Sequence, residues 1–374
     1  VIGGGIAGSS VAVELRRRGA EVTLVDRDQP GSGATGASAG MLAPQYESFE
    51  PDPAFWFGLE SMGLWPEFAR ELEALADWAV GHRPTGMLVA NRSAQEEAAA
   101  VAALEWQRRN GLAGEVLSPS EARIHHSGVG PEVVSYTWLP GEALVDVQRL
   151  AVALADAVRS AGGRMVAGKA IREIVSRGGR TVGAVSEDGT PFHVDRVVLA
   201  AGAWSHRVAG VPESLPVKPI RGQMLRLLPD EAPPWTLLGD HDGRYLSPRE
   251  NGTILAGSTM EDVGFRDEVT DEGRAAIIDS VLTLYPELAE ARIVERWAGL
   301  RPLTPDAWPI LGPDPALEGL CYATGYGRNG ILFAPLAARV VADLVLGGET
   351  EWNWEPFGVQ RFRGIPESET PDQE

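Results

Sequence analysis

Three glycines near the start of the chain have the spacing to do chemistry together. Gly3, Gly5 and Gly8 stand as G-x-G-x-x-G within Gly3-Gly4-Gly5-Ile6-Ala7-Gly8. At this spacing the first glycine permits a tight turn and the second lets backbone approach a pyrophosphate. The third lets a helix pack closely on a strand. The chemistry is anion binding, because the free N–H groups at a helix start face phosphate. Asp26 follows Gly8 by 18 residues, and a carboxylate there can accept both ribose hydroxyl protons. An acid at that point favours an unphosphorylated ribose, hence FAD or NAD rather than NADP.

Those residues work only if the surrounding elements position them. Val1–Ile2 reads as the end of a buried strand. Ser9–Arg18 reads as a helix, with Val11, Ala12 and Leu15 at three-to-four spacing and Gly19 ending it. Glu21–Asp26 reads as a second strand closing on the acid. A fold for NAD would run promptly into another helix and strand. Here Gln29–Leu42 is a long loop of small residues, in which Thr35 and Ser38 can bond to phosphate or ribitol. Small side chains let backbone press on a flat ligand, which favours a flavin. Asp195–Ser205 reads as a buried strand breaking at Gly202, able to return to the nucleotide part. Near the end, Leu320–Gly325 reads as a strand, Tyr326–Gly330 as a loop and Ile331–Leu346 as a helix. The partial positive charge of that helix start, aimed at a flavin pyrimidine edge, would stabilise reduced flavin.

The chain has 374 residues, which suggests two domains at roughly 150 residues each. Apolar residues make up 44% and charged residues 23%, as in an ordinary soluble protein. The net charge of −19 argues against binding a nucleic-acid backbone or an anionic membrane surface. The single cysteine, Cys321, excludes an internal disulfide and any multi-cysteine metal site. No apolar run is long enough to span a membrane. The basic run Arg16–Arg18 follows the apolar start, the reverse of secretory order, so a cytoplasmic protein is expected. The opening inside a strand suggests that a few residues precede Val1. The polar tail Gly364–Glu374 is expected to be disordered. His125-His126 is expected in a surface loop and His241 in a turn near the site, neither with a metal or base role.

The fold class expected is α/β with an α+β substrate part. A Rossmann-like cofactor domain (1–44, 141–207 and 301–350) would interleave with an antiparallel-sheet substrate domain (45–140 and 208–300). Leu215–Leu228 and Tyr245–Thr259 have the apolar stretches of that sheet, and Trp65–Val80 and Ala94–Arg109 read as helices.

With these patches in order, the sequence resembles the D-amino acid oxidase-like FAD oxidoreductase family, most of all its glycine oxidase branch associated with thiamine biosynthesis. The resemblance runs from Val1 to about Leu346. It is carried by Val1–Gly8, Ala37–Leu42, Ala201–Ser205, Tyr245–Arg249, Gly257–Glu261, Gly299-Leu300-Arg301-Pro302, Pro309–Pro313 and Arg328–Leu332. It implies an FAD-dependent oxidase of a small amino acid. Glycine comes first, with sarcosine or D-amino acids also in range. Hydride would pass from Cα to flavin N5, giving an imino acid, and O2 would reoxidise the flavin to yield hydrogen peroxide.

By position, the resemblance puts Ile6, Ala7, Asp26, Arg27, Ala34, Thr35, Ala39, Gly40 and Met41 on FAD, with Gly3, Gly5, Gly8 and Gly202. Ile171 would line the adenine side through its backbone. Tyr326, Gly327, Arg328, Asn329, Gly330, Ile331 and Leu332 would sit at the flavin. Tyr245 and Arg301 would hold the substrate carboxylate, with Arg328 also in the substrate site. Arg301 is suited to this, because a guanidinium fixes a carboxylate in position and rotation at once. The family often assembles into homo-oligomers.

Two departures bear on this. Relatives that tether flavin covalently do so through a cysteine in the stretch corresponding to Gly299–Pro302, and none is there, so FAD is expected to be noncovalent. Tyr46 and Glu47 follow the flavin loop where small residues would leave a more open entrance, and the tyrosine there suggests a narrowed site or a lid. A sarcosine or D-amino acid oxidase, a 2-hydroxy acid dehydrogenase of the same fold, an NAD-dependent dehydrogenase and a flavin-binding subunit of a larger complex remain alternatives.

Overall fold

The computed structural model describes residues 1–47, 50–130, 133–212 and 214–363. The expected tail, 364–374, lies outside them.

A parallel sheet forms around the first residues. Ile2 bridges both Val25 and Leu199 in parallel. Through it the strand Thr23–Val25, paired with Arg164–Val166, joins Val197–Leu199, which pairs with Leu320–Thr324. Ile310–Pro313 closes the sheet in antiparallel sense. The helices Ile6–Arg17, Val147–Ser160 and Gly330–Val345 share one apolar core with the long helix Pro53–Ala76. The antiparallel strands Ile171–Arg177, Arg180–Ser186 and Pro191–His193 cover the opposite face, where Ile174 and Ala184 meet Ile2, Val197 and Leu199. Ligands of such sheets bind beyond the carboxyl ends of the parallel strands, where Asp26 and Gly3 lie.

A second, eight-stranded sheet runs in the order Arg292–Leu303, Lys218–Leu228, Ile254–Gly257, Tyr245–Pro248, Leu237–Asp240, Met87–Asn91, Ser135–Leu139, Glu115–Leu117. It departs from the purely antiparallel expectation at one pair, since Leu237–Asp240 runs parallel to Met87–Asn91. These strands are far apart in the chain, so no hairpin dictates their sense. The helix Asp271–Leu284 packs Ile277, Val281 and Leu284 on this sheet.

Among the helices, Ala94–Arg109 matches its expected bounds, with Ser93 capping the Glu96 N–H at 3.2 Å. The helix expected at Trp65–Val80 instead spans Pro53–Ala76. It starts where the Asp52 carboxylate accepts the Phe55 N–H at 2.7 Å and Pro53 fills the first turn. It runs through Pro66 and stops where Asp77 turns left-handed, with φ 59°. His126 is also corrected. It is 3% exposed, against the edge of Tyr285, and burial pushes its pKa down to about 4. His125 stacks on Trp138.

Candidate active site

One cavity of about 450 Å³ runs from the nucleotide turn to the face of the large sheet. At its first end the glycines form a cradle that only backbone fits. A Cβ on Gly3, whose φ is +102°, would fall 2.3 Å from the Ala200 carbonyl oxygen. A Cβ on Gly8 would fall 1.9 Å from that of Gly3. Gly5 caps the helix Ile6–Arg17, whose first turn carries no acid to neutralise its positive end. Thr35 Oγ1 accepts the Ile6 N–H at 2.9 Å, tying the long loop to that helix start.

Asp26 borders the same end. Its carboxylate accepts the Gly4 N–H at 2.5 Å and the Asp28 N–H at 2.8 Å, and burial raises its pKa. The Arg27 guanidinium lies 3.4 Å above the centre of the Trp204 ring, and Lys169, Ile171 and Glu187 complete this end. The donor set suits a dinucleotide with free ribose hydroxyls: an uncompensated helix start for phosphates and a fixed acid beside it.

The loop between the two ends is held by the large sheet. Trp297 Nε1 donates to the Ala37 carbonyl at 3.0 Å, and Arg249 donates to the Ala39 carbonyl. Ala34, Thr35, Ala39, Gly40 and Met41 all border the cavity.

At the far end, Arg301 donates to Ser258 Oγ at 2.7 Å and to the Thr259 carbonyl at 3.1 Å. Among the described residues it has no carboxylate within salt-bridge distance. Burial lowers its pKa, and a desolvated cation in that state gains most from an incoming anion. Tyr245 is buried, its hydroxyl 3.3 Å from Met224 Sδ, and borders the same space. Arg328 Nη2 lies 3.2 Å from Glu47 Oε1, and this carboxylate holds the Arg328 proton above the ordinary guanidinium range.

The tertiary structure therefore brings Tyr245, Arg301 and Arg328 to one end of a cavity that Gly3, Gly5, Ile6, Ala7, Asp26, Arg27, Ile171 and Gly202 border elsewhere. Tyr326, Gly327, Asn329, Gly330 and Ile331 also line it. Gly8 and Leu332 do not. Gly8 packs behind the turn, and Leu332 packs against the long helix, its carbonyl accepting from Ser61 and Trp65. Tyr46 does not line the cavity either. It is 5% exposed, with its hydroxyl 3.0 Å from the Asp240 carbonyl and 3.2 Å from that of Arg244, and it also meets the Arg328 side chain. Its neighbour Glu47 does line the cavity, as does Ser258. Neither was assigned a role from sequence, and only the 281-residue separation closed by Arg328 reveals the first. His241 lies in a turn and meets Asn91 at 2.8 Å.

Among the described residues no cluster of three or more His, Cys, Asp and Glu could hold a metal ion, and no helix is long and apolar enough to cross a membrane.

Residues 1–344 match the model of the FAD dependent oxidoreductase (DAO) family. The bifunctional protein ThiO/ThiG of Trichormus variabilis is 35% identical over 367 residues, 97% of this chain and 55% of that protein. This chain thus spans about half the length of the bifunctional relatives it matches. The glycine oxidase of Geobacillus kaustophilus is 31% identical over 366 residues, 97% of each chain. The crystal structure of glycine oxidase from that organism superimposes with a TM-score of 0.93 at 30% identity, covering 97% of this chain and 98% of the other. The crystal structure of iminodiacetate oxidase from a Chelativorans species does so with 0.87 at 27% identity, covering 96% and 97%.

Proposed function

Because the chain belongs to the family of FAD dependent oxidoreductases, we propose that it oxidises the amine of a small amino acid, glycine first, to the imino acid. Oxygen would accept the two electrons and leave as hydrogen peroxide. The imino acid would hydrolyse to the oxo acid and ammonia. The observation that carries this reading is the shared cavity: a dinucleotide cradle and a desolvated Arg301, with no carboxylate in salt-bridge distance among the described residues, border one space. The glycine oxidases among the relatives support the choice of substrate.

Bound FAD would supply the electron acceptor for the substrate Cα–H. The chain's own residues do the positioning. Gly3, Gly5 and the start of the helix Ile6–Arg17 would hold the pyrophosphate, and Asp26 the ribose. Ala34–Met41 and Tyr326–Ile331 would enclose the flavin. Arg301 would pair with the substrate carboxylate through two parallel N–H bonds, and Tyr245 would donate its phenolic proton to the same group. That arrangement fixes the position and rotation of Cα, which is the chain's main contribution to rate. No side-chain base is assigned. In this reading 1–44, 141–207 and 301–350 form the cofactor part, and 45–140 and 208–300 the substrate part.

The test is an anaerobic visible spectrum of the purified holoprotein titrated with glycine, sarcosine, D-alanine and D-proline. Bleaching of the flavin band by glycine, reversed by air with release of peroxide, is the expected result. A flavin band that none of the four bleaches would overturn the assignment.

A further inference from the structure

The substrate end of the cavity holds two guanidinium groups in different electrostatic states. Arg301 has carbonyl and hydroxyl partners and, among the described residues, no carboxylate within salt-bridge distance, the Glu47 charge acting on it only from farther away. Arg328 is paired with Glu47 at 3.2 Å, and the two side chains are 26% and 17% exposed. Both arginines and Glu47 border the same space.

The Glu47–Arg328 pair is held in place from both sides. Glu47 ends the short helix Pro44–Glu47. The preceding residues of that helix are locked, Tyr46 by its hydroxyl at the Asp240 and Arg244 carbonyls and Gln45 by its N–H on the Glu142 carboxylate at 2.9 Å. Arg328 lies over Gly243, where a Cβ would fall 2.4 Å from its Nη1. A glycine there leaves the space the guanidinium needs. The acid therefore stands at a built position beside the substrate end.

We propose that Glu47 is a charge filter: by occupying Arg328 it leaves Arg301, among the described residues at this end of the cavity, as the guanidinium open to substrate, so the site takes amino acids with one carboxylate and discriminates against those with two. A second substrate carboxylate aimed at Arg328 meets the Glu47 charge and must displace it, so the site repels the wrong substrate as well as attracting the right one. Glu47, more than any other group, raises the Arg328 pKa. The inference rests on the reading of Arg301 as the carboxylate clamp.

The test uses the FAD-loaded protein and two unreactive ligands, acetate and malonate, each titrated by the perturbation of the flavin band. Glu47→Gln should raise the malonate-to-acetate affinity ratio at least tenfold. Adding Arg328→Met to that variant should remove the gain. Arg328→Met alone leaves Glu47 uncompensated and should push the ratio below that of the wild type, which keeps the test open if Glu47→Gln fails to load FAD. A ratio within twofold of the wild type in Glu47→Gln overturns the filter. So does a gain that survives Arg328→Met, since it would report a wider pocket, and so does a loss of glycine affinity with the ratio unchanged, since Glu47 would then read the ammonium. Failure of acetate to perturb wild-type flavin is a distinct result, which overturns the Arg301 clamp itself.

Discussion

Gly222 lies against the guanidinium of Arg301: a Cβ built on Gly222 would fall 1.9 Å from Arg301 Nη1 and 2.3 Å from its Cζ. The two residues sit on paired strands, where Gly222 faces Gly299 and Ile220 faces Arg301. The glycine is needed for space, because its φ is one that any residue adopts. Gly222→Ala should displace Arg301 without straining the backbone. Losing a charge-assisted pair to the substrate carboxylate costs about 2–4 kcal/mol, or roughly 30- to 1000-fold in kcat/KM for glycine. Arg301→Met should fall in the same range. Steady-state kinetics on holoprotein with an unchanged melting temperature checks this, and near-normal turnover in both variants would remove the clamp.

Arg249 is 7% exposed and has no carboxylate partner among the described residues. Its guanidinium donates to Ser247 Oγ at 2.9 Å, to the Pro248 carbonyl at 3.0 Å and to the Ala39 carbonyl, and burial brings its pKa down to about 10, so it stays charged at neutral pH. It pins the loop that borders the cavity to the large sheet. Arg249→Met should release that loop and raise the FAD dissociation constant about tenfold, the value of one hydrogen bond from a charged donor. Flavin fluorescence on dilution reads this directly, and an unchanged constant would show that the loop holds itself.

Glu142 is fully buried, and burial raises its pKa well above the ordinary carboxylate value. The folded state then holds the Glu142 proton more tightly than the unfolded chain does. Its contribution is most favourable below the unfolded pKa and declines as pH rises toward the folded one. Glu142→Gln keeps the acceptor for the Gln45 N–H and carries no charge. The variant should therefore gain stability relative to the wild type between pH 5 and pH 8. Thermal unfolding of both proteins at the two pH values tests this, and parallel pH dependences would exclude Glu142 as the titrating group.

Cys321 lies on the buried strand Leu320–Thr324 and does not border the cavity. Burial pushes its thiol up to about 12, which removes the nucleophilic thiolate at neutral pH. All flavin should leave the protein on acid precipitation. The native protein should show no thiol to a disulfide reagent, and the denatured protein one. Yellow colour retained in the pellet would overturn noncovalent binding.

The features legible in the sequence are those governed by a few adjacent residues. The G-x-G-x-x-G turn follows from the backbone freedom of Gly3 and the missing side chain of Gly8. The helix Ala94–Arg109 follows from its Ser93 cap and its basic last turn. The start of the long helix was also written locally, in Asp52-Pro53. The expected helix nevertheless began only at Trp65. The helix tolerates Pro66 because Trp65, Phe68, Ala69 and Leu72 are buried around it.

The tertiary structure alone decided the pairings across the chain. Arg328 meets Glu47 across 281 residues and Arg249 meets Ala39 across 210. Gly222 makes room for Arg301 on the neighbouring strand, and Leu237–Asp240 runs parallel to Met87–Asn91. Turn and cap preferences act over a few residues, so sequence spacing exposes them. Which buried charge faces which depends on how separate elements pack, because desolvation and pairing arise only once both groups share a water-poor space. By sequence Tyr46 and Glu47 were one feature at the entrance. Packing turned Tyr46 toward two carbonyls and Glu47 toward a guanidinium in the cavity.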